Sequence, residues 1–270
     1  LYAIHTALDV QLDGVNKGLA DALELEQRRV LLPQKGSLLK LSTYVPQEHL
    51  PIVQEALFNA GAGAIGHYDQ CSFVSDGIGG FRPLDGSTPF VGNVGERHFE
   101  SEMQLQVVLP KHVKASVLAA LEQSHPYETV AYELSVLENV RNDLGMGCIG
   151  SLSTPIEEKA FLKTLKDIVG TPSIRHSKLF NKTIERVALL GGSGSFATED
   201  AIGQGADVFI TADLKYHDFY KAEKHLILVD VGHFESEQFT KKTIVEFLSK
   251  NFPNFAFISS KTETNPVHYF

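Results

Sequence analysis

The chain has 270 residues, 43% of them hydrophobic, so it can bury a sizeable core as one large domain or two smaller ones. A formal charge of -9 with no basic run excludes a nucleic-acid or membrane-surface partner held by electrostatics. Two cysteines, Cys71 and Cys148, exclude a disulfide framework and point to a reducing cytoplasmic setting, and no apolar run approaches the roughly 20 residues of a membrane span.

Residues 1–4 are apolar from the first position, with no initiator Met, and read as a strand already under way, as in the later part of a longer protein. They lead into His5-Thr6-Ala7-Leu8-Asp9, where a histidine and a carboxylate stand about one helical turn apart. The plain alternatives are a hydrogen-bonded histidine at a strand end and a cap for the next helix. Asp13-Gly14-Val15-Asn16 then opens a helix expected over 17–25.

From 39 to 139 the pattern changes. A strand is expected at 39–45, then Pro46, then a helix at 47–59 with apolar Leu50, Val53, Leu57 and Ala60, stopped by Gly61-Ala62-Gly63. Residues 64–73 look strand-like, and the Gly/Pro-rich residues 77–95 read as a long loop or an irregular hairpin. An alternating strand at 101–109, Pro110, a helix at 111–123 and a strand at 129–137 complete the segment. Each half runs strand, Pro, helix, strand, and β-α-β-β-α-β is the order of a ferredoxin-like unit. The chain therefore reads as 1–38, the first part of an α/β core; 39–139, an inserted α+β ferredoxin-like domain; and 140–270, the second part of the core.

Past a Gly-punctuated boundary at 140–147, helix and strand alternate. A helix is expected at 157–169, then a strand at 186–190, Gly191-Gly192-Ser193-Gly194-Ser195, and a helix from about 198. A strand at 207–212 precedes Asp213-Leu214-Lys215-Tyr216-His217 and a short helix. Residues 226–231 form an apolar strand interrupted only by Asp230; Gly232 ends it, an amphipathic helix spans 238–250, and a last strand lies near 255–259. Such alternation implies a mostly parallel sheet with helices on its faces.

Three successive strands thus end in polar groups, and their carboxyl ends share the edge at which open α/β sheets bind ligands. His233 and Glu237 lie one turn apart at one such end; the plain alternative for Glu237 is a first-turn carboxylate complementing the helix dipole. With His5 and Asp9 they make a nitrogen and oxygen donor set without sulfur, which suits zinc, iron or manganese over calcium. Asp213, Lys215 and His217 offer proton transfer and a cation for a phosphate, or else a polar helix start facing solvent. Gly191, Gly192, Ser193 and Gly194 either cradle an anion on their N–H groups or make a tight strand-to-helix turn. They lack the Lys-Ser/Thr of a P-loop.

These residues resemble the motifs of the NIF-three-like family, whose members are often labelled GTP cyclohydrolase one type two homologues. The likeness rests on the stretch from His5 to Asp9 with Asp13 to Asn16, on Gly191 to Gly194, on Thr211 to His217, on Gly232-His233-Phe234-Glu235-Ser236-Glu237, and on Thr264-Asn265-Pro266. The segment 39–139 is similar to the PII/CutA-like insert of a longer bacterial form, through the stretch Gly61 to Gly66, Cys71-Ser72-Phe73, Gly80-Phe81-Arg82-Pro83 and His125-Pro126-Tyr127-Glu128. The resemblance implies two divalent metal ions per subunit, zinc or iron with manganese also admissible, in a ring-shaped cytoplasmic homohexamer. It implies ligands at His5, Asp9, His233 and Glu237, with Glu237 as the bridge; the family's paired-histidine motif would lie upstream of Leu1. It implies a metal-dependent hydrolase of the GTP cyclohydrolase type, acting on a cyclic amidine C–N bond of a nucleotide or small phosphorylated substrate. His217 or Asp213 would move protons, while Lys215 and the glycine segment would hold phosphate. Two other readings are a regulatory or scaffold protein that binds metal without turnover, its insert serving as sensor or assembly module, and a metal-storage protein.

Overall fold

Residues 2–262 and 264–269 are described in the computed structural model, and the chain divides into two units, Leu1–Gln34 with Arg141–Phe270, and Lys35–Val140. The first unit opens with a single turn, α1 (Thr6–Asp9), and with α2 (Val15–Ala22), which buries Val15, Asn16, Leu19 and Ala20. Strand β1 (Glu26–Pro33) follows. The strand expected at 1–4 does not form: Tyr2, Ala3 and Ile4 are exposed and lie in no strand, and Leu1 lies outside the described residues. An apolar run becomes a strand only beside another that takes its hydrogen bonds.

The inserted unit comprises β2 (Leu38–Pro46), α3 (Leu50–Asn59), β3 (Ser72–Phe81), β4 (His98–Pro110), α4 (Lys114–Ser124) and β5 (Tyr132–Val136). Its antiparallel sheet has the order β3-β4-β2-β5, which is the ferredoxin-like arrangement expected from the repeated strand–Pro–helix pattern. Pro46 and Pro110 each precede a 3₁₀ turn that feeds the helix. Leu39, Leu41 and Val45 of β2 and Leu105, Val107 and Leu109 of β4 face Val53, Leu57, Val117 and Leu121 of the helices, so one sheet face carries the core. One expectation fails here and another is resolved. Residues 64–71 hold only an isolated Ile65–Tyr68 bridge, while of the two readings of 77–95 the hairpin forms, with β3 running through Gly77, Gly79 and Gly80 and pairing antiparallel with β4. Those glycines mark a crowded strand: at Gly79 a Cβ would collide with the Glu102 carboxylate.

The chain re-enters the first unit at β6 (Gly145–Glu157), followed by α5 (Glu158–Val169), β7 (Arg175–His176), β8 (Thr183–Ser193), α6 (Thr198–Gly203) and β9 (Val208–Ala212). It ends with α7 (Asp218–Lys221), β10 (Ile227–Asp230), α8 (His233–Glu237) and α9 (Thr240–Asn251). The sheet order is β1-β6-β8-β9-β10-β7. The parallel part is β8-β9-β10, and β1, β6 and β7 join it antiparallel. Alternate residues of these central strands enter opposite cores: Val187, Leu189, Ile210 and Val229 pack with Leu19 and Phe161, while Ala188, Leu190, Phe209 and Leu228 pack with Ala201 and Ala222. No strand forms at 255–259, where Phe255 and Ile258 are exposed. Among the described residues no helix is long and apolar enough to cross a membrane.

Candidate functional site

Strands β8, β9 and β10 end side by side, and the residues just past them gather at one sheet edge. Asp213 follows β9 in the left-handed region, φ 56°, which a short polar side chain tolerates better than most. Gly232 follows β10 at φ 94°, turning the chain into α8; a Cβ there would run into Glu235. This turn presents His233 and Glu237 on one side of α8.

His233 stands between two carboxylates. Its Nδ1–H donates to Asp213 Oδ2 at 2.7 Å, and its Nε2 lies 3.5 Å from Glu237 Oε1. Asp213 thereby sets the ring's orientation and tautomer and leaves Nε2 toward Glu237. Gly192, at φ 69°, makes room for the pair: a Cβ on it would sit 2.6 Å from Glu237 Oε1 and 3.3 Å from the imidazole. The hydrogen bond to Asp213 raises the His233 pKa, with Glu237, Asp213 and Asp9 adding to the effect against desolvation. Burial raises the Glu237 carboxyl above its usual value, and Asp9 and Asp213 push the same way against His233 and His5. Burial likewise raises Asp9, against His5 and His233.

His5, Asp9, Asp213, His233 and Glu237 therefore share one electrostatic neighbourhood. Among the described residues no group of three or more His, Cys, Asp or Glu is arranged to hold a metal ion as it stands. The donors fit a divalent cation in kind, being imidazole and carboxylate without thiolate, and two of them, His233 and Glu237, flank the position where Gly192 lacks a Cβ. The raised carboxyls are compatible with it also, because a cation offsets the cost of burying a charged carboxylate.

The glycine segment does not offer free donors. Gly191 N–H donates to Asn16 Oδ1 at 2.8 Å and Gly192 N–H to Ser236 Oγ at 2.9 Å. Ser193 lies within β8, paired with Ala212 of β9, and a Cβ on Gly194 would collide with Thr211 Oγ1, which itself donates to Gly192 O at 3.0 Å. Two of the expected phosphate-cradling N–H groups are thus engaged inside the protein, and the glycines serve close packing against α8 and β9. Lys215 and His217 are exposed; His217 packs edge-on against Tyr216 at 5.2 Å, and among the described residues neither side chain hydrogen-bonds to Asp213, His233 or Glu237.

Several supporting residues carried no role in the sequence reading. Buried Asp230 accepts from Leu214 N–H and Gly232 N–H at 3.0 Å each and pairs with Arg175, which also donates to Leu214 O. The visible signal was an acid inside an apolar strand. Buried Glu235 accepts from Asn265 Nδ2 at 3.2 Å, which ties the tail to α8. A pocket of about 650 Å³ opens here, lined by His233, Glu237, Arg175, Lys241, Asn265 and Tyr269 among others.

An α/β core with a histidine–carboxylate site at its strand ends, interrupted by a ferredoxin-like unit, defines the class. The chain belongs to the Duf34/NIF3 (NGG1p interacting factor 3) family, whose model matches residues 1–266. It is 41% identical to the GTP cyclohydrolase 1 type 2 homolog of Bacillus subtilis, covering 100% of this chain and 74% of that protein. It is 38% identical to the protein of the same description from Halalkalibacterium halodurans, with the same 100% and 74% coverage. Among solved structures, a Bacillus cereus protein related to NIF3 matches with a TM-score of 0.82 at 33% identity, over 100% of this chain and 73% of that one. A Staphylococcus aureus protein matches with a TM-score of 0.74 at 26% identity, over 100% and 72%.

Proposed function

We propose that this protein is a metal-dependent hydrolase of the GTP cyclohydrolase type, with its site at the carboxyl edge of the core sheet. His5, Asp9, His233 and Glu237 would hold the metal, and in the two-ion arrangement Glu237 would be shared between the ions. A bound divalent cation supplies a water acidic enough to attack near neutral pH. The observation that carries the reading is His233 fixed between Asp213 and Glu237 beside a glycine that keeps the space clear.

The remaining roles fall to the chain's own residues. Asp213 holds the imidazole in one orientation through Nδ1, which makes it a positioning group. Lys241 lines the same pocket, as does Arg175 in its ion pair with Asp230, and the two would supply positive charge for an anionic substrate end, since the Gly191 and Gly192 N–H groups are engaged. The raised carboxyls of Asp9 and Glu237 take up protons at higher pH than ordinary carboxyls and protons compete there with a cation, so metal affinity falls as pH is lowered. The substrate class is a nucleotide or small phosphorylated molecule, and the assembly a cytoplasmic homohexamer. A second reading, a metal-binding regulatory protein without turnover, is favoured by an inserted unit that has its own core and its own pocket.

Elemental analysis tests the first reading. The protein, purified as wild type and as Glu237→Gln, is expected to retain near-stoichiometric zinc or iron only in the wild type, and to release product from GTP or a related nucleotide. Metal with no turnover on any nucleotide shifts the assignment to the regulatory reading. No metal in the wild type overturns both.

A further inference from the structure

The inserted unit contains a second pocket, of about 600 Å³, on the sheet face opposite its core. Tyr44, Gln104 and Glu102 form its floor together with Ser75, Gly77 and Gly79 of β3. The loop carrying Pro83, Pro89 and Phe90 closes one side, held by Thr88 N–H donating to both oxygens of Glu128 at 3.1 and 3.0 Å. Phe81, Phe90 and Tyr127 form an aromatic wall, with ring centroids 6.2 Å apart for Phe81–Tyr127 and 6.1 Å for Phe90–Tyr127. The volume is that of a small-molecule site.

Its charge is one-sided. Asp76, Glu102 and Glu128 line it, and no Lys, Arg or His does. Glu102 is only 8% exposed, and its Oε1 accepts from Tyr127 O–H at 2.8 Å. Burial and the neighbouring carboxylates raise the Tyr127 pKa, so the phenol stays a donor. Among the described residues no cation forms an ion pair with Glu102; His125 lies in electrostatic reach, but its Nε2–H donates to Tyr44 O at 2.9 Å while its Nδ1 accepts from Tyr127 N–H at 3.1 Å, the pattern of an uncharged ring, and burial lowers its pKa. A buried carboxylate without a cation is costly, and the missing Cβ at Gly79 is what makes room for it, since a Cβ there would sit 2.0 Å from Glu102 Oε2.

We propose that the inserted unit binds a small organic cation, its charge on the Glu102 carboxylate and its apolar or aromatic body against Phe81, Phe90 and Tyr127. A carboxylate floor and π-faces both attract a protonated nitrogen, whereas a phosphate or carboxylate ligand would meet only like charge. This assignment is independent of the metal reading.

Calorimetric titration of the full chain with phenethylammonium and benzamidinium, and with phenylacetate as the anionic counterpart, tests it. The two cations are expected to bind and phenylacetate not. Glu102→Gln should weaken the cations about tenfold or more. Phe90→Ala, on a half-exposed wall outside the core, should weaken them several-fold, and a melting curve for each variant shows that the fold is kept. No binding of either cation at millimolar concentration, equal binding of phenylacetate, or an unchanged affinity in both variants overturns the proposal. If Glu102→Gln does not fold, Phe90→Ala alone decides.

Discussion

A buried carboxylate shows how one residue can hold a loop that has no regular structure. Glu158 is 4% exposed at the start of α5, and its two oxygens accept four backbone hydrogen bonds, from Phe180, Asn181 and Lys182, at 2.9 to 3.2 Å. Glu158→Ala leaves three N–H groups without that acceptor and should cost about 3 kcal/mol, read as a lower midpoint in urea denaturation. At this scale the sequence was partly legible. His233 and Glu237 could be singled out because their spacing is local, one turn on one helix face. Asn16 and Ser236 stood inside quoted motifs without a role, because their bonds to Gly191 and Gly192 span 175 and 44 residues. No local spacing reports such a partner.

Elements were legible where their own pattern carried them. The inserted unit's two strand–Pro–helix repeats and the buried run of β10 rest on periodicity, and both formed. Strand β1 was missed, since its first half is Glu26-Gln27-Arg28-Arg29 and its ladder shifts register between Glu26 and Arg29. The expected strands at 1–4 and 255–259 had the composition but no neighbour to pair with in the described residues. Ser236 joins two elements: its Oγ accepts from Gly192 N–H at the end of β8 and donates to His233 O at 2.8 Å in α8. Ser236→Ala leaves the Gly192 N–H buried and unpaired, and should cost about 1–3 kcal/mol. Hydrogen exchange at the Gly192 amide should quicken, while amides in the middle of β9 keep their protection relative to global stability.

For the whole molecule, the informative feature is where the insert departs. Strands β1 and β6 pair antiparallel, with Pro33 opposite Gly145, and Gln34 N–H donates to Leu144 O at 3.0 Å. The inserted unit, Lys35–Val140, therefore occupies the position of a hairpin loop. Replacing it with a turn of about four residues should leave a core that still melts cooperatively. An insoluble or non-cooperative product would show that the core depends on the insert. The same layout sets how the core responds to force. A pull exerted through the insert reaches β1 and β6 at adjacent ends, so their hydrogen bonds are loaded one after another from Pro33 and Gly145 inward. Tension would open this seam like a zipper, at far lower load than shearing the whole ladder at once.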